Sequence, residues 1–188
     1  IEMLEIANAT VTLDALHCQR RTAELLRKRQ AHYVLCVKNN QKGLREELPW
    51  WFEGFAERWP EGADTFVETD AGHGRIEVRR YTQLPVTEQL VQTAKWADVR
   101  SVIRVERERL IGEKRTCETV YYLSSHAPNA AFIAEAIRSH WEVENKVHWV
   151  LDVVYREDDS RIRRGNGAFN VGLIRRLCLN LARQHPTR

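Results

Sequence analysis

Between Ala9 and Lys38 the chain reads strand, basic helix, strand, and that order leaves few folds open. Ala9 to Ala15 (ATVTLDA) alternates, with Val11 and Leu13 on one side and Thr10, Thr12 and Asp14 on the other, the period-two pattern of a strand. His17 to Gln30 predicts a basic helix with Ala23, Leu25 and Leu26 facing inward. His32 to Lys38 (HYVLCVK) is apolar almost without a break, as expected of a strand covered on both faces. Two strands joined through a helix make a βαβ unit, with parallel strands and a right-handed crossover. The expected class is α/β. Asp14 then closes the first strand at the carboxyl edge, where open α/β sheets place their ligands, and Lys38, Asn40 and Gln41 end the second strand on the same edge. The other reading of Asp14 is a helix cap or turn residue for the segment beginning near His17.

Gln41 to Trp59 looks helical but interrupted by Pro49, and its Trp50, Trp51, Phe52, Phe55 and Trp59 suit a core. From residue 63 to 125 the pattern changes to strands. TFVETD and RIEVRRYTQL flank the turn AGHG, and VRSVIRVERERL and KRTCETVYYLSS flank IGEK, which are two hairpin signals separated by a short helix near Val86 to Ala94. Helical patterns resume at Asn129 to Val154 and at Asn166 to Gln184. Three segments are therefore expected: 1–62 as the first part of an α/β core, 63–125 as an antiparallel β-rich insertion, and 126–188 as the C-terminal helical part.

The stretch SHWEVENKVHWVLD sets His140, Glu144, His148 and Asp152 four residues apart among apolar neighbours. On a helical wheel of about 100° per residue, Phe132, Ile133, Ala136, Ile137, Trp141, Val143, Val147, Val150, Leu151 and Val154 occupy half the circumference, and Glu144 falls inside it. Arg138, Ser139, Glu142, Asn145 and Lys146 take the other side, Asp152 the border, and Trp149 is a large apolar residue on the polar side. A carboxylate on an inward arc must be neutralised, paired or bound to a metal, because burying it alone costs several kcal/mol or more. An internal ion pair and a metal site are both open for Glu144, and His140 and His148 suit ordinary hydrogen-bonded core positions. A transition-metal site on His140, Glu144 and His148 is disfavoured because successive steps of four rotate the outer ligands apart.

With 43% hydrophobic residues in 188, the chain can bury a core. No apolar run approaches the roughly 20 residues that span a bilayer, and no signal peptide is present, so a soluble intracellular (bacterial cytoplasmic) protein without membrane partners is expected. Cys18, Cys36, Cys117 and Cys178 lack CxxC spacing, which argues against a zinc ribbon or a disulfide framework. The net charge of +3 is mild, but Arg156 to Arg188 holds eight arginines against three acids. That suits phosphate contacts or a solvated helix face. The first residue is Ile1, which leads to the expectation of an upstream continuation.

VTLDALHCQ, HYVLCVKNNQK, HGRIEVR, ETVYYLSS, HWEVENKVHWVLDVVYREDDSRIR and the final NxxLIRRLCLNL segment together resemble the transposases of bacterial insertion sequences in the H-repeat-associated family. The resemblance covers nearly the whole chain in the family's order. It implies an RNase H-like DDE enzyme that cuts DNA and rejoins its 3′ ends with three carboxylates and two divalent ions, Mg²⁺ or Mn²⁺. By that resemblance Asp14 takes the second acidic position and Glu144 the third, both as catalytic metal ligands, and 63–125 is the family's insertion. The physics agrees: oxygen ligands suit Mg²⁺, and two ions roughly 4 Å apart stabilise the attacking and leaving oxygens of an in-line phosphoryl displacement. DNA, as transposon ends and target, and further copies of the chain are the implied partners. Lys38, Asn40, Gln41, His73, Arg75, Arg161, Arg163 and Arg164 are the candidate DNA contacts, with Gly72 and Gly74 permitting close backbone approach at the hairpin tip; a solvated turn is the other reading of that tip. Asp152, Glu157 and Asp158 either support the site or pair with Arg161, Arg163 or Arg164.

The family's first aspartate lies on an earlier strand in a DGK-type motif, and no DGK occurs here. The expectation is a partial RNase H-like core, inactive or nearly so as this polypeptide alone. The alternative function is a catalytically dead remnant that binds DNA and oligomerises.

Overall fold

Thr10–Leu13 (β1) and His32–Val37 (β2) run parallel, in register from Thr10↔His32 to Leu13↔Leu35, with the helix Arg20–Lys28 (α1) between them. The computed structural model describes residues 5–55, 60–72 and 74–184, with the side chains of Glu142, Glu144 and Asn145 outside that description. Ala23 and Leu26 of α1 are buried, as the amphipathic pattern requires. The helix Lys42–Gly54 (α2) runs through Pro49 without the expected interruption. Its buried Leu44, Leu48, Trp51 and Phe52 lie on both sides of the proline. At about 1.5–3 kcal/mol for each, their burial outweighs the roughly 3 kcal/mol that an interior proline costs. Trp50 is exposed, and Trp59 lies outside the described residues.

Asp64–Gly72 (β3), Arg75–Pro85 (β4), Ser101–Ile111 (β5) and Lys114–Ser124 (β6) form an antiparallel meander. The helix expected near Val86 to Ala94 is reduced to a 3-10 turn at Thr93–Lys95. β6 pairs antiparallel with β2, from Val34↔Ser124 to Val37↔Tyr121. The β-rich block and the βαβ unit therefore share one six-stranded sheet, ordered β1-β2-β6-β5-β4-β3. The chain is a mixed α/β protein.

Alternation along the strands sends two sets of side chains to two faces. Tyr33, Leu35, Val102, Leu123 and Leu84 pack with α1 and α2, and Val11 and Leu13 join them. Val34, Tyr81, Ile103 and Val105 face the other way and meet the helix Ala130–Val143 (α3) through Ala130, Ile133, Ala134 and Ile137. That stripe, at i, i+3, i+4 and i+7, is narrower than the half-circle read from the wheel. Phe132, Trp141, Val143 and Val154 are exposed, which corrects the expectation that they face inward. Two causes account for this. Small residues at 130 and 134 bring α3 close to the sheet on a narrow contact line, and the helical register changes after Val143. Glu144–His148 and Val150–Val154 are π-helical turns, the second closed by Tyr155 N–H donating to Val150 O at 3.0 Å.

The chain divides into two compact units between Ile137 and Arg138. In the second, the helix Gly167–Gln184 (α4) buries Gly172 and Leu179, and Leu151 is also buried. Arg176 donates to Glu157 at 3.0 Å, so Glu157 pairs there and not with Arg161, Arg163 or Arg164, and Arg156 donates to Asp159 at 2.9 Å.

Candidate functional site

Asp14 continues the extended backbone of β1 by one residue (φ −65°, ψ 165°) and precedes a 3-10 turn at Ala15–His17. Its side chain makes no capping bond to that turn, so capping does not explain an acid here. Alternation places it with Thr10 and Thr12, on the face where Val34 and Cys36 lie, and this is the face that α3 covers. The electrostatics report the same neighbourhood. Burial pushes the Cys36 thiol up, opposed by Lys38, and the Asp14 charge adds to the rise. Burial also pushes the Tyr122 hydroxyl up, with further contributions that include Asp14. Tyr122 is the cross-strand partner of Cys36.

A protonated thiol is a poor metal ligand, so the exposed Asp14 carboxylate is the hard donor at this edge. In kind, the donor set of Asp14 and Glu144 fits Mg²⁺ or Mn²⁺, which take oxygen ligands. Among the described residues, no group of three or more His, Cys, Asp or Glu side chains is placed to hold a metal ion.

Glu144 opens the first π turn directly after α3, and its side chain lies outside the described residues. π turns inside helices are rare and concentrate at functional positions. Hydrophobic periodicity gave no hint of this one, because a wheel assumes a constant angle. The ladder of four-residue steps was the only signal. A step of four overshoots a full α turn by about 40° but falls short of a π turn, so the change of register counteracts the drift along His140, Glu144, His148 and Asp152. Asp152 is half-buried and, among the described residues, makes no hydrogen bond or ion pair.

The candidate DNA contacts fall into three groups. Lys38 is exposed just beyond β2. Asn40 donates to Ala15 O at 2.5 Å and Gln41 to Cys18 O at 2.8 Å, so both amides hold the turn that follows Asp14. Arg75 begins β4 with its guanidinium 3.9 Å from Glu77, and His73 lies outside the described residues. Arg161, Arg163 and Arg164 are exposed in the second unit, where Arg163 donates to Ser160 O at 2.8 Å.

Sequence reasoning missed the polar network around the connection from β6 to α3. Ser101 Oγ donates to His126 O at 2.7 Å, Thr10 Oγ1 lies 2.9 Å from His126 Nε2, and Tyr33 N–H donates to Ser125 Oγ at 2.9 Å. These residues are distant in sequence and carry no spacing signal. Among the described residues, no helix is long and apolar enough to cross a membrane.

The family described as "Transposase DDE domain" matches residues 1–181. The chain is 36% identical over 186 residues to "Putative protein YbfL" of Escherichia coli K12, covering 96% of this chain and 49% of that protein. Against "H repeat-associated putative transposase YhhI" of the same strain it is 35% identical over 186 residues, with 96% and 49% covered. "Putative transposase YncI" of Escherichia coli O157:H7 is 34% identical over 193 residues, with 97% and 48% covered. The chain thus spans about half the length of the curated relatives it matches. No solved structure matches it. On the family match across nearly its whole length, the chain belongs to the DDE transposase domain family.

Proposed function

We propose that the chain is part of the catalytic core of an insertion-sequence transposase, performing metal-dependent DNA strand cleavage and transfer, with Asp14 and Glu144 as two of its three metal-holding carboxylates. The observation that carries this reading is the placement of Asp14, an exposed and uncapped acid at the end of a core strand, on the carboxyl edge of the parallel pair β1 and β2. Bound divalent cations supply the charge that stabilises the attacking and leaving oxygens of an in-line phosphoryl displacement. The chain's own residues hold and orient. Asn40 and Gln41 fix the turn beside Asp14, while Lys38, His73, Arg75, Arg161, Arg163 and Arg164 contact the DNA backbone of transposon ends and target. In this reading the sheet is a partial RNase H-like core carrying 63–125 as its insertion, and the working enzyme is a homo-oligomer.

No DGK motif occurs in these 188 residues. The same observation favours a second reading, a remnant that binds DNA without chemistry. Titration of Mn²⁺ followed by the electron paramagnetic resonance of the free ion separates the two. The transposase reading expects binding that Asp14→Asn and Glu144→Gln each weaken about tenfold or more. Binding indifferent to both substitutions would overturn it.

A further inference from the structure

β3 is an edge of the six-stranded sheet, and among the described residues it pairs on one side alone, with β4. A strand edge leaves a row of backbone N–H and C=O groups open to another strand, and sheets usually guard it with a short strand, a proline, a lysine or a bulge. The opposite edge is guarded by length, since β1 has four residues. β3 has nine, and its sequence DTFVETDAG holds no proline, lysine or arginine. It matches β4 residue for residue from Asp64↔Gln83 to Gly72↔Arg75, without a bulge. Three acids remain as guards. Asp64 accepts from Thr65 N–H at 2.9 Å and from Ala130 N–H at 2.7 Å, while Glu68 accepts from Arg79 at 3.3 Å and from the Tyr81 hydroxyl at 3.0 Å. Two of the three charges are thus answered within the chain and repel an incoming strand less than free carboxylates would.

The strand is also complementary to itself. Thr65, Val67, Thr69 and Ala71 share one face and are exposed, with Val67 55% open to water. β-branched residues at alternate positions suit a pleated ladder. A two-fold axis through the edge makes the pairing of two copies isologous and antiparallel. Centred on Val67, it sets Val67 against the partner's Val67, Thr65 against the partner's Thr69 and Phe66 against the partner's Glu68. The exposed ladder then continues across the junction through apolar and threonine pairs, which are favourable cross-strand contacts. Asp64 and the partner's Asp70 are the like charges brought together, at the ends, where Asp64 is already held by two N–H groups. Moving the centre by one residue instead sets Glu68 against the partner's Glu68, or Asp64 against the partner's Glu68.

We propose that β3 is a self-association surface: two copies of the chain join edge to edge through antiparallel β3 strands, making one sheet continuous through both. The inference rests on the homo-oligomer of the proposed function and gives it a surface. It needs neither Asp14 nor Glu144.

An interface of one strand pair is small, so the association is weak and grows with concentration. Sedimentation velocity of the chain from about 1 to 100 μM should show monomer passing into dimer. Val67→Lys, and Thr69→Lys as a second variant, place a lysine on the edge twice in every dimer and should each raise the dissociation constant about tenfold or more. Both positions are exposed, so the variants keep their fold, which circular dichroism checks. Val91→Lys, at an exposed apolar residue in the connection between β4 and β5, should leave the dimer unchanged. In a chain carrying Cys117→Ser and Cys178→Ser, Val67→Cys should cross-link to its own copy on oxidation, because residues opposite one another lie within disulfide reach, and Val91→Cys should not. A chain monomeric throughout the series would overturn both the oligomer and this surface. A dimer that persists in Val67→Lys and Thr69→Lys, or cross-linking no better at 67 than at 91, would overturn the surface while leaving the homo-oligomer standing.

Discussion

The imidazole of His126 is stacked on that of His32, with ring centroids 4.1 Å apart and planes inclined by 23°. Burial pushes His126 down from 6.5 to about 4, and His32, Arg27 and Arg100 add to the shift. His32 is lowered as well, first by burial and then by Arg27. The unfolded chain therefore binds these protons near pH 6.5, while in the folded chain His126 binds its own only near pH 4. Stability is complete above about pH 6.5 and declines as the pH falls from there to about 4. Because His126 is partly exposed, the loss assigned to it is about 1–2 kcal/mol. Urea midpoints at pH 7.5 and pH 4.5 measure it, and His126→Asn should flatten the dependence. Equal midpoints in the unsubstituted chain would rule the stacked pair out as an acid-sensitive element.

The two faces of the sheet were legible from alternation in β1 and β2 alone: Val11 and Leu13 join one core, while Thr10 and Asp14 turn to the other side. The hairpins were legible too, because turn residues and β-branched runs are local signals. What sequence left open was pairing at long range. Nothing in ETVYYLSS says that Tyr122 will lie against Cys36, the pairing that joins the β-rich block and the βαβ unit in one sheet. α3 shows the limit of periodicity in one element. The pattern found Ile133 and Ile137, but a constant angle cannot foresee the register change at Glu144.

Ile133 and Phe132 were both expected to face inward, and the structure separates them. Ile133 is fully buried between Val34, Ile103 and their neighbours, whereas Phe132 is 39% exposed and meets His126 edge-on at 4.9 Å. Ile133→Ala should cost about 2–4 kcal/mol through lost burial and the cavity left behind. Phe132→Ala should cost less, about 1 kcal/mol, because a good part of the ring is already exposed to water and its removal leaves no closed cavity. Chemical denaturation of both variants checks the difference, and similar losses would mean that α3 seats on the sheet along a different line.

Glu77 is 3% exposed and holds three guanidinium groups: Arg79 in close contact, Arg109 at 3.6 Å and Arg75 at 3.9 Å. Arg79 also reaches Glu68 at 3.3 Å, where the Tyr81 hydroxyl donates at 3.0 Å. Removing the central charge leaves the arginines facing one another. Arg75 and Arg109 are open enough to turn to water, so Glu77→Gln should cost about 1–3 kcal/mol, short of the full penalty for breaking a buried pair. The exposed pair of Arg107 and Glu118 provides the contrast: Glu118→Gln should change stability by less than about 0.5 kcal/mol. Thermal unfolding of the two variants side by side measures the gap.

Arg161, Arg163 and Arg164 are exposed, and none of them is paired with an acid among the described residues. Arg75, by contrast, lies against Glu77, which offsets part of its charge. If the first three contact DNA phosphates, each releases counterions on binding, and the affinity should fall steeply between about 50 and 200 mM salt. Fluorescence anisotropy with a mixed-sequence duplex gives the slope of log affinity against log salt. Replacing all three with alanine should reduce its magnitude by about 2–3, near 0.9 for each lost contact, with a similar loss on every sequence. Arg75→Ala should change it by less, because a guanidinium already engaged by a carboxylate displaces fewer counterions. A slope that is the same in the triple variant would move the contact surface away from this arginine cluster while leaving the carboxylate site to be judged on its own.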